Sequence, residues 1–317
     1  MNQPQPGRPC EQSPPGRPAP FLSIVIGVFN DWEPLDQCLR SLSGQIHAPD
    51  FEVIVIDDGS TESAPEFIGR TIPPPVLTIV RQSHAGISVA RNTGIEISQG
   101  SILLFVDADC RLRPDCLANL GAAVADSPQR NCFQLHLVGE CSQIVGRSEQ
   151  LRLITLQTQL LRSDGCIRYL NTAGFAIRRE RIGIGEKLFD PAATRGEDTL
   201  LLANLMEEGE LPMFIPNAIV EHVVGLSVMA SLWKSVWTAY QESGTYGVIN
   251  SKGVGVRVSP QERLNMLRSM WKTSGQPGIG RMAWLVLLAR QALKRIASFV
   301  FGGLRVRGKF EAANHRS

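Results

Sequence analysis

The string ILLFVDADC, running from Ile102 to Cys110, narrows the possible architectures more than any other stretch of this sequence. Its five consecutive apolar residues, Ile102 to Val106, read as a strand buried on both faces, the pattern of a sheet covered by helices. Such a strand runs into Asp107-Ala108-Asp109 only if the carboxylates emerge into a cleft, because a charge left in the core is costly. In an open α/β sheet that cleft lies at the carboxyl ends of the strands. Two carboxylates one residue apart can share one hard cation, and that cation can hold a diphosphate and stabilise its departure. A solvated Asp-rich turn would read the same, so the triplet needs support from the rest of the chain.

That support lies upstream. SIVIGVFND (Ser23–Asp31) is a β-rich apolar run, followed by a predicted helix from Pro34 to Ser43 with Leu35, Cys38, Leu39 and Leu42 at helical spacing. FEVIVIDDGST (Phe51–Thr61) is a second buried strand, closed by Asp57-Asp58-Gly59-Ser60, and Val76–Val80 is a third. A helix from Gly86 to Ser98, stopped by Gly100, precedes the Asp107 strand. Strands alternating with helices predict a parallel sheet with helices on both faces. Asp31, Asp57, Asp58, Asp107 and Asp109 all fall at strand ends, on one edge where a nucleotide would meet them.

The same residues carry a resemblance. The first strand with Phe29-Asn30, the DDGS turn at 57–60, GISVARNTGIEISQG at 86–100, the DAD triplet, NTAGFAIRR at 171–179 and RGEDTLLLANLMEEG at 195–209 occur in that order. Over residues 21–224 the chain resembles a family 2 glycosyltransferase. The resemblance implies the GT-A fold, a Rossmann-like mixed α/β sheet flanked by helices, and here a C-terminal helical extension. It implies a catalytic domain over 21–225, with a nucleotide-binding half (21–110) and an acceptor half (111–225). Residues 1–20 would then be a disordered Pro-rich tail and 226–317 a basic helical extension.

By the resemblance, Gly27 and Phe29 would lie along the nucleobase. The family's usual residue at 29 is Tyr, so stacking must suffice without a hydroxyl contact. Asp57 or Asp58 would accept from base or ribose, Arg91 would reach the base or phosphates, and Asp107 would touch ribose or metal. Asp109 would be the principal ligand of Mg²⁺ or Mn²⁺, joined by His222. Ala173 and Gly174 would let the donor sugar approach the backbone closely. Each has a plainer reading: Asp57-Asp58 as the opening of a type I turn, Arg91 as a salt-bridging helix residue, His222 as an ordinary satisfied side chain.

A second chemical centre is Arg195-Gly196-Glu197-Asp198, which opens an amphipathic helix with Leu201, Leu202 and Leu205 on one side and Gly209 as its stop. Acids in a first helical turn favour the helix dipole, so capping alone explains them. The resemblance matches Asp198, with Glu197 second, to the general base of inverting members. Such a carboxylate removes the proton of a sugar hydroxyl as the anomeric carbon is attacked.

The formal net charge of +2 hides an asymmetry: from Ser251 onward there are 13 Lys and Arg against two acids, Glu262 and Glu311. A basic tail suits an anionic partner such as a membrane surface or a phosphorylated acceptor. Within it, Trp284–Leu304 has Leu285, Leu288, Ala292, Ile296 and Phe299 on one side and Arg290, Gln291, Lys294, Arg295 and Ser298 on the other. This is either a helix lying on a membrane face or a terminal helix packed on the domain with its cations solvated. Its uncharged runs are far shorter than the roughly 20 residues a spanning helix needs. Trp233, Trp237 and Tyr240, on an earlier helical stretch, could contact lipid or acceptor, but are assigned first to the core. Seven cysteines without a Cys-x-x-Cys pair fit a reducing cytosol, and 1–20 lacks the apolar core of a signal peptide.

The expectation is therefore a metal-dependent, inverting transfer of a single sugar from a nucleotide-diphospho-sugar, a UDP-sugar first, to a glycan or lipid-linked hydroxyl acceptor in cell-surface or exopolysaccharide assembly. The processive Gln-x-x-Arg-Trp motif and spanning helices of polymerising members are missing. The setting would be cytoplasmic, peripheral on the inner membrane face, and nucleic acid is not expected as a partner. The rivals are a sugar-phosphate nucleotidyltransferase and a nucleotide-binding interaction protein that has lost catalysis.

Overall fold

The computed structural model describes residues 20–72, 76–183, 185–193, 195–242 and 258–314; segment 1–19 and the start of the basic stretch, 251–257, lie outside them. Four strands, β1 (Leu22–Val28), β2 (Phe51–Asp57), β3 (Leu77–Arg81) and β4 (Ile102–Asp107), pair in parallel in the order β3-β2-β1-β4. Alternation along β4 feeds two cores. Ile102, Leu104 and Val106 pack with Leu35, Leu39 and Leu42 of α1 (Trp32–Ser43), while Leu103 and Phe105 join Leu201 and Leu205 of α6 (Glu197–Glu207) on the opposite face. Register then sets the acidic edge: Gly27 lies beside Asp107 and Val28 beside Asp57.

The other half of the sheet is mixed. β5 (Cys110–Leu112), β6 (Cys132–Gly139), β7 (Phe175–Arg178) and β8 (Met213–His222) extend it in the order β4-β7-β6-β8-β5. β7 runs antiparallel to both neighbours and β5 antiparallel to β8. Only Ala108-Asp109 separate β4 from β5, yet β5 pairs with β8 and not with β4. The parallel reading thus holds for β1 to β4, β6 and β8 are parallel as well, and the whole is the mixed sheet that the resemblance implies.

α3 (Ile87–Ile97) ends where Ser98 turns extended, and Gly100 is not its stop. Its N–H instead donates to Ser23 Oγ (2.7 Å), and a Cβ there would meet Ser23 N at 2.6 Å, so the glycine lets the chain graze β1. The remaining long helices before the extension are α4 (Cys116–Asp126) and α5 (Ile144–Leu160), with the short α2 (Ile68–Thr71) beside α1.

The extension holds α7 (Val228–Glu242), α8 (Pro260–Thr273) and α9 (Arg281–Asn314). α8 and α9 pack on α5, where Leu151 meets Met270, Ile279, Ala283 and Leu287, and α7 packs mainly on α9. A capping box of Ser259 and Glu262, with Pro260 as first helical residue, starts α8. The faces of α7 and α9 differ from expectation. Trp233 (72%), Trp237 (54%) and Tyr240 (42%) are exposed; Ser231, Ser235 and Ala239 take the inward side. On α9, Arg290 and Lys294 turn inward to Glu149 and Glu242 beside the buried Val286, Leu287 and Ala297, and a second apolar side with Leu285, Ile296 and Phe299 faces out. Among the described residues, no helix is long and apolar enough to cross a membrane.

Candidate active site

The turn after β2 is held from both sides. Asp57 Oδ1 accepts from Ser60 N (2.8 Å), as a turn-opening Asp does. The Asp58 carboxylate accepts from the N–H groups of Ala85 (2.9 Å) and Gly86 (2.8 Å) and from Gln82 Nε2 (2.7 Å), and pairs with His84 Nδ1 at 2.9 Å. Gly59 adopts φ +78°, and a Cβ there would meet His84 N at 2.7 Å, so only glycine lets the two loops close up. Phe29, 43% exposed, faces the His84 ring with centroids 4.4 Å apart. Two aromatic faces thus stand beside the carboxyl ends of β1 and β3, where a planar base could lie. His84 carries no periodic or motif signal in the sequence and was missed there.

Arg91 joins the two acidic centres. Its buried guanidinium donates through Nη2 to Asp107 Oδ1 (2.7 Å) and through Nη1 to Glu197 Oε1 (2.8 Å), with the Phe189 ring 5.5 Å away. Burial opposes its charge, but the two carboxylates outweigh that and raise its pKa. Both ends of the fork are therefore taken by protein, and the plainer salt-bridge reading describes what Arg91 contacts. Beside Glu197, Asp198 is half-buried at the start of α6. Its Oδ1 accepts from Thr199 N (2.6 Å), while burial, then the charge of Glu197, push its pKa up to about 6.

The third feature is an ion pair, Asp109 Oδ2 to His222 Nε2 at 3.2 Å, created by the antiparallel register that sets Cys110 opposite His222. Burial alone would raise the acid and lower the base. The hydrogen bond and mutual charge outweigh it, holding Asp109 below and His222 above their ordinary values. Asp107 is tied to Arg91, and no three His, Cys, Asp or Glu side chains converge as a metal cluster among the described residues. The donor set is thus a carboxylate and an imidazole touching one another. That suits a Mg²⁺- or Mn²⁺-type ion, which takes few protein ligands and completes its shell with phosphate oxygens and water.

Glu149, on α5, was also missed. Burial would raise its pKa, but the charge and hydrogen bonds of Arg152 lower it to about 2, and its charge in turn raises that of His222. Arg290 of α9 lies 3.6 Å from the same carboxylate. In the sequence, Glu149 and Arg152 read as an ordinary surface pair one helical turn apart. Ala173 and Gly174 are buried, and a Cβ on Gly174 would meet Leu137 at 2.9 Å, so strand packing already requires that glycine. Gly27 similarly accommodates Ile87 of α3, 2.6 Å from where its Cβ would be.

The sequence pattern "Glycosyl transferase family 2" matches residues 23–182. Glycosyltransferase AglE of Haloferax volcanii is 36% identical over 94 residues, 29% of this chain and 31% of its own length. The succinoglycan biosynthesis protein ExoO of Rhizobium meliloti is 28% identical over 208 residues, 63% of this chain and 59% of its own. This chain therefore spans less than two thirds of either relative. Mannosyltransferase PcManGT from Pyrobaculum calidifontis, solved with GDP-Man and Mn²⁺, superposes with a TM-score of 0.55 at 18% identity, over 93% of this chain and 81% of that one. At that identity the likeness is one of fold, the mixed α/β sheet with flanking helices described above.

Proposed function

Because the chain belongs to glycosyl transferase family 2, we propose that it moves a single sugar from a nucleotide-diphospho-sugar, a UDP-sugar first, to a hydroxyl of a glycan or lipid-linked acceptor, inverting the anomeric carbon. The observation that carries this reading is the bridge Asp107–Arg91–Glu197, which draws the strand-end acids and the start of α6 into one site. The nucleobase would lie along Phe29 and His84. Asp109 and His222 would hold a divalent cation, Mg²⁺ or Mn²⁺, which when bound offsets the charge of a leaving diphosphate.

Asp198 would act as the base. With a pKa of about 6 it is ionised at neutral pH yet basic enough to accept a proton, the balance general-base catalysis favours. It takes the acceptor's hydroxyl proton as the new C–O bond forms on the face opposite the departing diphosphate. Glu197, committed to Arg91, holds the neighbouring negative charge that keeps Asp198 basic. The GDP-Man and Mn²⁺ bound to PcManGT and the succinoglycan role in ExoO's name support a nucleotide-sugar donor, a divalent metal and a polysaccharide product. We place the reaction in the cytoplasm.

A nucleotidyltransferase needs a Gly-rich, cationic phosphate loop after its first strand. Here Phe29-Asn30-Asp31 alone connects β1 to α1, and none of the three is a cation. The test incubates the chain with UDP-, GDP- and dTDP-sugars, Mn²⁺ and a panel of glycan and polyprenyl-phosphate-sugar acceptors. Release of nucleoside diphosphate with a glycosylated acceptor is expected. Pyrophosphate release from a nucleoside triphosphate and a sugar 1-phosphate would overturn the reading in favour of that rival, and turnover of neither in favour of a binding protein.

A further inference from the structure

We propose that the outer faces of α7 and α9 form a docking surface for an anionic lipid bilayer. A surface helix ordinarily turns its apolar stripe to the core and its charges to water. α9 is apolar on two sides: Ala283, Val286, Leu287 and Ala297 are buried against the domain, and a second stripe faces out. Met282, Leu285, Ala289, Ala292, Ile296 and Phe299 are all exposed, at spacings of three and four residues, a stripe about 25 Å long at 1.5 Å per residue. Arg290 and Lys294 lie on the inward side, on Glu149 and Ser148 and on Glu242 respectively. These ion pairs and the buried Ala283 and Leu287 together fasten α9 to the domain.

α7 continues the surface. Met229, Trp233 and Trp237 recur every fourth residue on its exposed side, while small residues let its other side approach α9. Trp237 stacks near Tyr240 (5.5 Å), which meets Phe301 of α9 edge-on (5.2 Å), so the two stripes adjoin. A contiguous exposed apolar face of this extent marks an interaction site.

Charge identifies the occupant. Arg263, Arg268 and Lys272 on α8 and Arg295 on α9 are exposed, whereas the acid of α8, Glu262, is used by the capping box and by Arg168. The three-and-four spacing would also suit a second copy of α9. A coiled-coil partner, however, needs acids facing those cations, and from Arg281 to Phe301 α9 has none. An anionic bilayer satisfies both features, accepting the apolar stripe below its headgroups and the cations among them, with tryptophan at the interface. The surface also borders the chemistry. α7 starts six residues after His222, whose Nε2 pairs with Asp109, so the surface adjoins the acidic edge along the chain. A lipid-linked acceptor would arrive beside the acidic edge.

The test is sedimentation of the full chain with phosphatidylcholine vesicles, with and without phosphatidylglycerol. It needs no donor, so its failure is distinguishable from failure of the transferase reading. Binding is expected to prefer anionic vesicles, to weaken with salt without vanishing, and to shift tryptophan emission to the blue. Ile296→Ser/Phe299→Ser and Trp233→Ser/Trp237→Ser should each cut partitioning at least about tenfold. Arg268→Glu/Arg295→Glu should reduce the anionic preference by at least about tenfold, since each cation near such a surface contributes about 1 kcal/mol. Circular dichroism confirms that each variant is folded. Equal partitioning of native chain and stripe variants, or no preference for anionic lipid, would overturn the proposal. So would a dimer in sedimentation equilibrium that Ile296→Ser/Phe299→Ser dissolves while vesicles go unbound.

Discussion

Replacing Asp198 by Asn should make the protein more stable and far less active at the same pH. An unfolded Asp titrates near 3.9, whereas in the fold burial and Glu197 raise Asp198 to about 6. Between those values the folded state binds the extra proton, so this group's contribution to stability falls as pH rises from about 4 to about 6. Above 6 the ionised carboxylate costs at most about 3 kcal/mol, from two pKa units at about 1.4 kcal/mol each. The side chain is half-buried, so solvent screening reduces that to about 1–2 kcal/mol. The helix dipole favours the ionised form, but by only about 0.5 kcal/mol. Asn keeps the oxygen that accepts from Thr199 N and carries no charge. Urea unfolding should therefore show Asp198→Asn about 1–2 kcal/mol more stable than the native chain at pH 8 and equal to it at pH 4. Transfer should drop at least about a hundredfold with donor affinity little changed. A variant that melts early at pH 8 but transfers normally would make Asp198 a helix cap and refute the reasoning.

Removing the cation in Arg91→Met would leave Glu197 without its partner and Asp107 partly so, costing about 3 kcal/mol in urea unfolding. Arg91 also lowers the pKa of Asp198, so the acid limb of the activity profile should move to higher pH; an unmoved limb would disconnect the bridge from the base. Gly94→Ala would drive a methyl group into the Val25 side chain under the sheet and lower the urea midpoint by about 1–3 kcal/mol, with nucleotide binding kept. Gly59→Ala, strained at φ +78° and pressed on His84 N, should instead weaken nucleotide binding measured by calorimetry more than it lowers stability.

β1, β2 and β4 were legible because each carries a buried apolar run that leads to acids, and the edge strand β3, mostly exposed, because Thr78, Ile79 and Val80 are β-branched. The second half was not. β5 has three residues and β7 four, too short for a pattern, and their antiparallel partners are strands distant in sequence, which no periodicity announces. Motifs placed Asp109, His222 and Asp198 as candidates, but their partners are long-range. Arg91 meets Glu197 across 106 positions, and Asp109 meets His222 only through the β5–β8 register. On α9 the pattern separated two sides but could not say which faces the domain, because that depends on the partners of Arg290 and Lys294. Here Glu149 and Glu242, which supply the opposite charge, sit on elements far away in sequence.

The central claim is that the strand-end acids hold a nucleotide-sugar through a metal. Its most direct test is the melting temperature of the full chain with UDP-, GDP- and dTDP-sugars, each with and without Mn²⁺, in the native chain and in Asp109→Asn. One donor class at a hundredfold excess over its Kd should stabilise the native chain by about 2.7 kcal/mol with Mn²⁺. That gain should be far smaller without the metal, and Asp109→Asn should lose it while remaining folded. Equal stabilisation with and without Mn²⁺, or in Asp109→Asn, would contradict the account.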